Sequence, residues 1–242
     1  MLRNASEILG YQLRAADGDI GRCKDFLFDD RQWTIRYMVA DTAKWLPGRK
    51  VLVSPLSLGT PRWPDRKLPV ALGREEIEAS PHLDDDAPVS RQYEIQWADY
   101  YQYPHYWGFE TIWGIRHYDM ARKEAVDQAE TALEDSHLRS VREVIDYNIN
   151  AIDGHIGHVE DFILDDTNWS IRYLIVDTRN WLPGRKVLIA PDWVAAIHWA
   201  EHQVDVRMNK SAIENSPPYD PRQPVNLAYE ARLYDYYGRP VA

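Results

Sequence analysis

The chain has 242 residues, a net charge of −10, 45% apolar and 27% charged residues, and one cysteine, Cys23. This is an ordinary globular composition; no apolar run nears the ~20 residues that span a bilayer, and one thiol excludes an intrachain disulfide. Residues 1–120 carry 15 basic and 18 acidic side chains and residues 121–242 carry 13 and 20, so neither half offers the positive field that binds nucleic acid or an anionic membrane surface.

In chain order, residues 1–10 include Arg3 and Glu7 and no apolar core, so they do not read as a signal peptide, and a cytoplasmic location is expected. Asn4 with Glu7 spells a capping box, which predicts a short helical turn. A strand at 11–13, the hairpin signal Asp17-Gly18 and a longer strand over 20–28 follow. Asp29-Asp30 opens the next turn. The next strand alternates, with Trp33, Ile35, Tyr37 and Val39 on one face and Thr34, Arg36, Met38 and Ala40 on the other. Because Met38 makes the second face partly apolar, the strand is expected inside a sheet covered on both sides. Pro47-Gly48 signals a type II turn into 51–53. Short strands are expected near Trp63 and Val70, then a helix over 74–79 that Pro81 ends.

The same text then returns. Residues 17–55 and 153–191 match without a gap at an offset of 136, with 23 of 39 positions identical. The offset extends outward through Leu2/Leu138, Tyr11/Tyr147, Ser80/Ser216, Tyr93/Tyr229 and Tyr100/Tyr101 with Tyr236/Tyr237. Two units of roughly a hundred residues result, each large enough to close a core. They span 1–107 and 137–242, joined by a linker over 108–136 whose stretch 121–133 reads as a helix with Ala125, Val126, Ala129 and Leu133 on one stripe. The second unit repeats the expected elements: a capping box at Ser140 and Glu143, strands near 147–149, 156–164, 199 and 206, and a helix over 210–215.

The motifs DGxIGxxxDFxxDD at 17–30 and 153–166, WxIRYxxxDT at 33–42 and 169–178, and WLPGRKVL at 45–52 and 181–188 resemble the PRC-barrel family, in its two-copy bacterial form with tyrosine-rich tails such as 100–107. The resemblance implies a mostly β fold: two tandem small β-barrels with short helices and a helical linker. The family's fold serves protein docking in the cytoplasmic part of the photosynthetic reaction-centre H subunit and at the end of a ribosome-maturation factor. It supplies no catalytic residue to carry over.

Candidate chemistry is sparse. His155 and His158 lie three apart on a strand and face opposite sides, so they cannot chelate together. His198 and His202 lie four apart, where strand and turn are expected rather than a helix. Asp29-Asp30, Asp165-Asp166 and Asp84-Asp85-Asp86 lack the ordered ligand spacing of a calcium loop. No nucleophile motif, HExxH, phosphate loop or dinucleotide fingerprint is present. Cys23 aligns with Val159 and reads as a small core residue. Asp25 with Arg36, and Asp161 with Arg172, are expected to pair across neighbouring strands. The sharper hint is a rigid Pro-Gly loop that offers a tryptophan and an arginine, Trp45 with Arg49 and Trp181 with Arg185, as candidate protein-binding residues.

The chain is therefore expected to be a non-catalytic scaffold with no cofactor or metal. Its two units should pair with each other about a pseudo-twofold axis, with linker and tails across the interface. The expected partner is an unidentified protein or a second copy, not nucleic acid and not a membrane interior. A sensor that binds a small molecule or metal between the units is the alternative, or an accessory to a photosynthetic or electron-transfer complex.

Overall fold

A computed structural model of the chain describes residues 1–42, 45–108, 138–178 and 185–238. The linker stretch 121–133 and Trp181 lie outside these residues. The described chain is mostly β, with two sheets and a few short helices. In the first half, β1 (Leu2–Asn4) and α1 (Ala5–Ile8) lead into β2 (Gln12–Ala15), β3 (Gly18–Asp29), β4 (Thr34–Asp41), β5 (Val51–Val53) and β6 (Lys67–Pro69). Helices α2 (Arg74–Ala79) and α3 (Arg91–Tyr101) follow. The second half repeats the order with β7 (Leu138–Ser140), α4 (Val141–Val144), β8 (Asn148–Ala151), β9 (Gly154–Asp165), β10 (Ile171–Asp177), β11 (Lys186–Ile189), β12 (Val194–His198), β13 (Gln203–Val206), α5 (Lys210–Glu214) and α6 (Leu227–Tyr236).

The sheets run β5-β4-β3-β2-β6 and β11-β10-β9-β8-β13-β12. Among the described residues no pair joins the two ends of either path. β4 lies between β3 and β5, and Ile35, Tyr37, Met38, Val39 and Ala40 along it are all buried, so both of its faces are covered as the alternation implied. The Asp17-Gly18 signal makes a tight hairpin in which Ala15 faces Gly18. Two residues on, the register slips and Gly21 takes φ 128°, bringing its backbone against β4. A Cβ at Gly21 would stand 1.9 Å from the Asp41 carbonyl oxygen, and one at Gly157 would stand 2.0 Å from that of Asp177. The hairpin bulge thus requires glycine in both copies.

The halves are interlocked by strand exchange. β3 and β9 are each 12 residues long, while their hairpin partners β2 and β8 have only four. The unfilled remainder of that edge would leave backbone amides and carbonyls unpaired. The first strand of the opposite half fills it. β1 pairs antiparallel with β9, Leu2 facing Asp165 and Asn4 facing Ile163. β7 pairs with β3, Leu138 facing Asp29 and Ser140 facing Leu27. Adding 136 to one set of pairs gives the other, so exchanging the halves leaves the pairing map unchanged. Thr34 bridges Ser170, its own counterpart, which puts the pseudo-twofold axis between them.

Around that axis Ile35 N–H donates to the Trp169 carbonyl at 2.9 Å, and Ile171 N–H donates to the Trp33 carbonyl at 2.7 Å. Both tryptophans sit in the left-handed region, at φ 51° and 59°. A bulky residue there costs about 1–2 kcal/mol, and each turn is closed by an N–H to carbonyl bond of 2.7 Å, Trp33 to Asp29 and Trp169 to Asp165. Phe26 against Trp169 and Phe28 against Phe162, with ring centroids 5.7 and 5.9 Å apart, pack the seam.

The tyrosine-rich tails differ from expectation. They lead out of helices that cover their own half rather than crossing the interface. Tyr93, Trp97 and Tyr101 recur every four residues, so one face of α3 is aromatic, and Trp97 meets Tyr37 of β4 edge-on at 5.0 Å. In α6, Tyr234 lies 5.5 Å from buried Trp193. Ser90 and Asn226 cap these helices by accepting from the Tyr93 and Tyr229 amides.

Candidate functional site

The acidic side chains singled out above hold the exchanged segments. Asp25 accepts from the Arg142 amide at 3.2 Å and from the Ser140 hydroxyl. Asp161 accepts from the Ser6 amide at 3.2 Å and from the Ser6 hydroxyl. Each carboxylate therefore caps the first helical turn of the opposite half. Burial pushes the pKa of both carboxyls up, and these hydrogen bonds oppose that shift. The expected Asp25–Arg36 pair does not form. Arg36 instead reaches Asp29 at 3.2 Å and stacks 3.9 Å from the Tyr106 ring centroid. Arg172 reaches Glu230 at 3.5 Å rather than Asp161. The reason is the exchange: a foreign helix N-terminus, with its unpaired amides, arrives on the edge of β3 and β9 and takes the carboxylate.

The arginines of the Trp-Arg motifs, Arg49 and Arg185, are also tied into the fold. Arg49 donates to the carbonyls of Glu78 at 2.7 Å, Ile77 at 3.1 Å and Ser80 at 2.6 Å, gathering the C-terminal end of α2. Arg185 donates to the Ser216 carbonyl at the matching place after α5. Cations at helix C-termini complement the dipole there. Trp45 is half-buried against the core, with the Arg74 guanidinium 4.7 Å above its ring. At the other end of α2, Asp17 accepts from the Arg74 amide at 2.9 Å, and Asp153 accepts from the Lys210 amide at 2.7 Å.

Glu94 is the most deeply buried acid of the first half. It pairs with Arg91 at 2.9 Å and accepts from the Tyr106 hydroxyl at 2.8 Å, and burial raises its pKa to about 7. In the second half the Tyr173 hydroxyl donates to Glu230 at 2.7 Å. Cys23 is buried, and desolvation pushes its thiol pKa far up, so little reactive thiolate forms. Asp29 and Asp165 start their turns by accepting from the Arg31 and Thr167 amides at 2.9 and 3.0 Å. His155 and His158 lie on β9, and His198 and His202 flank the β12–β13 turn. Among the described residues no three His, Cys, Asp or Glu side chains come together as a metal site.

A cavity of about 250 Å³ opens on the seam between the halves, lined by Asp30 and Trp33 from the first and by Pro191, Val194, Ile197 and Trp199 from the second. Arg139 of the exchanged strand β7 ties its two walls: it reaches Asp30 at 3.2 Å and lies 4.1 Å over the Trp199 ring. The twin pair, Arg3 over Trp63 at 4.2 Å, sits at the opposite end of the pseudo-twofold. A cleft between the units was the expected place for a small-molecule sensor, but its lining by Asp30, Trp33 and residues 191–199 was not readable in the sequence. Its walls meet only through the exchange, and the signal that was available is a contrast between the copies: Gly59-Thr60-Pro61-Arg62 in one and Ala195-Ala196-Ile197-His198 in the other. Among the described residues no helix is long and apolar enough to cross a membrane. Compared with known proteins, the chain matches no family model and no curated protein.

Proposed function

We propose that the chain is a non-catalytic scaffold: two PRC-barrel-like units locked into one body that presents its outer surface to a protein partner. The observation that carries this reading is what the charged side chains of the repeated motifs do. Asp25, Asp161, Asp17, Asp153, Arg49 and Arg185 each satisfy a helix end. The motif residues most able to do chemistry are engaged in building a rigid, duplicated platform. Trp33 and Trp199, half-exposed on the seam, are of the type that anchors interfaces. The test is crosslinking of the tagged full chain in its native cells, followed by purification. The reading expects a protein recovered in fixed stoichiometry, or a second copy of the chain. A chain recovered alone, with neither a protein partner nor a second copy, overturns it.

The seam cavity favours a second reading, a sensor that takes a small molecule between Asp30, Trp33 and Trp199. At about 250 Å³ it lies below the roughly 300–1,000 Å³ typical of ligand pockets. A thermal-shift screen of metabolites against the full chain tests this, and a saturable shift lost in Trp199→Ala supports it.

A further inference from the structure

The two halves end their sheets differently. β12 is the last strand of its sheet and pairs only with β13 among the described residues. It reads Val194-Ala195-Ala196-Ile197-His198, with no proline or lysine, and Ala195 and Ala196 are exposed. Free edges invite strand pairing, and proteins usually guard them with such residues. The twin segment is guarded: it carries Gly59, Pro61 and Arg62 and forms only isolated bridges, Leu58 to Val70 and Arg62 to Lys67. The unguarded edge is also the one whose residues 194–197 line the seam cavity with Trp33 and Trp199. A cavity too small for a typical metabolite has room for one aromatic side chain. The edge segment is acidic: residues 191–207 hold Asp192, Glu201 and Asp205 against Arg207, with Asp192 and Glu201 exposed, while Arg139 at the cavity is held by Asp30.

We propose that β12 is a docking edge for an extended, lysine- or arginine-bearing segment of a partner protein. The segment adds to the sheet as a further strand and places one aromatic side chain in the cavity between Trp33 and Trp199. Backbone hydrogen bonds along the edge supply register, and the cavity and the acidic flank supply selectivity. The same sheet already accepts one added strand, β1 on β9. This inference rests on the scaffold reading and names the site and chemistry of its partner.

The test uses the full chain and a display library of random dodecapeptides. Selection is expected to enrich segments with alternating β-forming residues, one aromatic and at least two Lys or Arg. Synthetic copies should lose about tenfold or more in affinity when the aromatic becomes Ala. Ala196→Trp, which fills the cavity, should abolish binding. Thr60→Trp, at the matching exposed position of the guarded edge, should leave it unchanged. Enrichment of acidic or proline-rich segments, no enrichment, or binding that survives Ala196→Trp overturns the proposal. A native partner whose binding survives Ala196→Trp would remove the docking edge and leave the scaffold standing, whereas failure to recover any partner or second copy would remove the scaffold itself.

Discussion

The strand pairings that join the two halves are alike in both copies; the last strand of each sheet is not. At the seam Leu2, Arg3, Asp25, Phe26, Asp29, Asp30, Trp33 and Ile35 recur as Leu138, Arg139, Asp161, Phe162, Asp165, Asp166, Trp169 and Ile171. The backbone pairings of these residues are mirrored, although some side-chain partners differ: Asp30 holds Arg139, whereas its twin Asp166 takes the Met1 amino group. At the outer edge, Gly-Thr-Pro-Arg of residues 59–62 stands against Ala-Ala-Ile-His of 195–198. The helix acids differ as well: Glu94 is held by Arg91 and Tyr106, whereas Leu227, the counterpart of Arg91, is exposed. A twofold seam ties every change to two environments at once, since each residue must fit its own sheet and its partner's. An outer edge carries no such constraint, and it is there that a duplicated protein is free to acquire a one-sided surface.

The comparison can be broken most severely at the hairpin bulges. Gly21→Ala and Gly157→Ala place a methyl group into the Asp41 and Asp177 carbonyls, so each should cost more than about 3 kcal/mol in urea unfolding. Gly10→Ala, which meets nothing within 4 Å but keeps φ 80°, should cost only about 1 kcal/mol. If the exchange makes the halves one cooperative body, either severe variant shifts a single transition. Two separate transitions would show that the halves unfold independently.

The buried acid of α3 gives a pH signature. The Glu94 carboxyl has its folded pKa raised to about 7 by burial, from an ordinary value of 4.5. The folded state therefore holds the proton more tightly. The stability it contributes is present below about pH 4.5 and is lost as pH rises through about 7, by an amount of order 1–3 kcal/mol. Glu94→Gln should flatten that decline in thermal melts between pH 4.5 and 8. An unchanged slope would mean that Arg91 keeps the carboxyl ionised throughout.

Removing one of the capping carboxylates across the seam should be comparable or milder. Asp25→Ala and Asp161→Ala should each cost about 1–3 kcal/mol, because two hydrogen bonds to the exchanged segment are lost. Equal losses confirm that the seam is symmetric in energy as well as in pairing. The smallest effect is expected at Cys23→Val, which writes the second copy's residue into the first. It should change stability by less than about 1.5 kcal/mol. In the unmutated chain the buried thiol should react with a thiol reagent only as the protein unfolds.

Much of the fold was legible in the residues. Asp17-Gly18, Pro47-Gly48 and the alternating 33–40 stretch announced a hairpin, a turn and a central strand, and local chemistry alone sets these. The helix over 74–79 lies where the sequence placed it. The helices α3 and α6 were readable but passed over as tails, although Ser90 and Asn226 cap them and Tyr93, Trp97 and Tyr101 recur with helical spacing. The roles of Asp25 and Arg36 were not readable. The partners of Asp25 lie 115 and more positions away, Arg36 takes Asp29, four residues beyond Asp25 on the same strand, and nothing local distinguishes a carboxylate that pairs within its sheet from one that waits for a foreign helix.

The sequence by itself determined that the protein is one β-rich unit written twice, because turns, alternation and repeat are properties of neighbouring residues and of self-similarity. Only the tertiary structure decided that each copy is completed by the first strand of the other, and that one outer edge is open while its twin is guarded. Strand exchange depends on which unpaired edge lies within reach in space. Backbone hydrogen bonding is blind to side-chain identity, so no residue pattern records it.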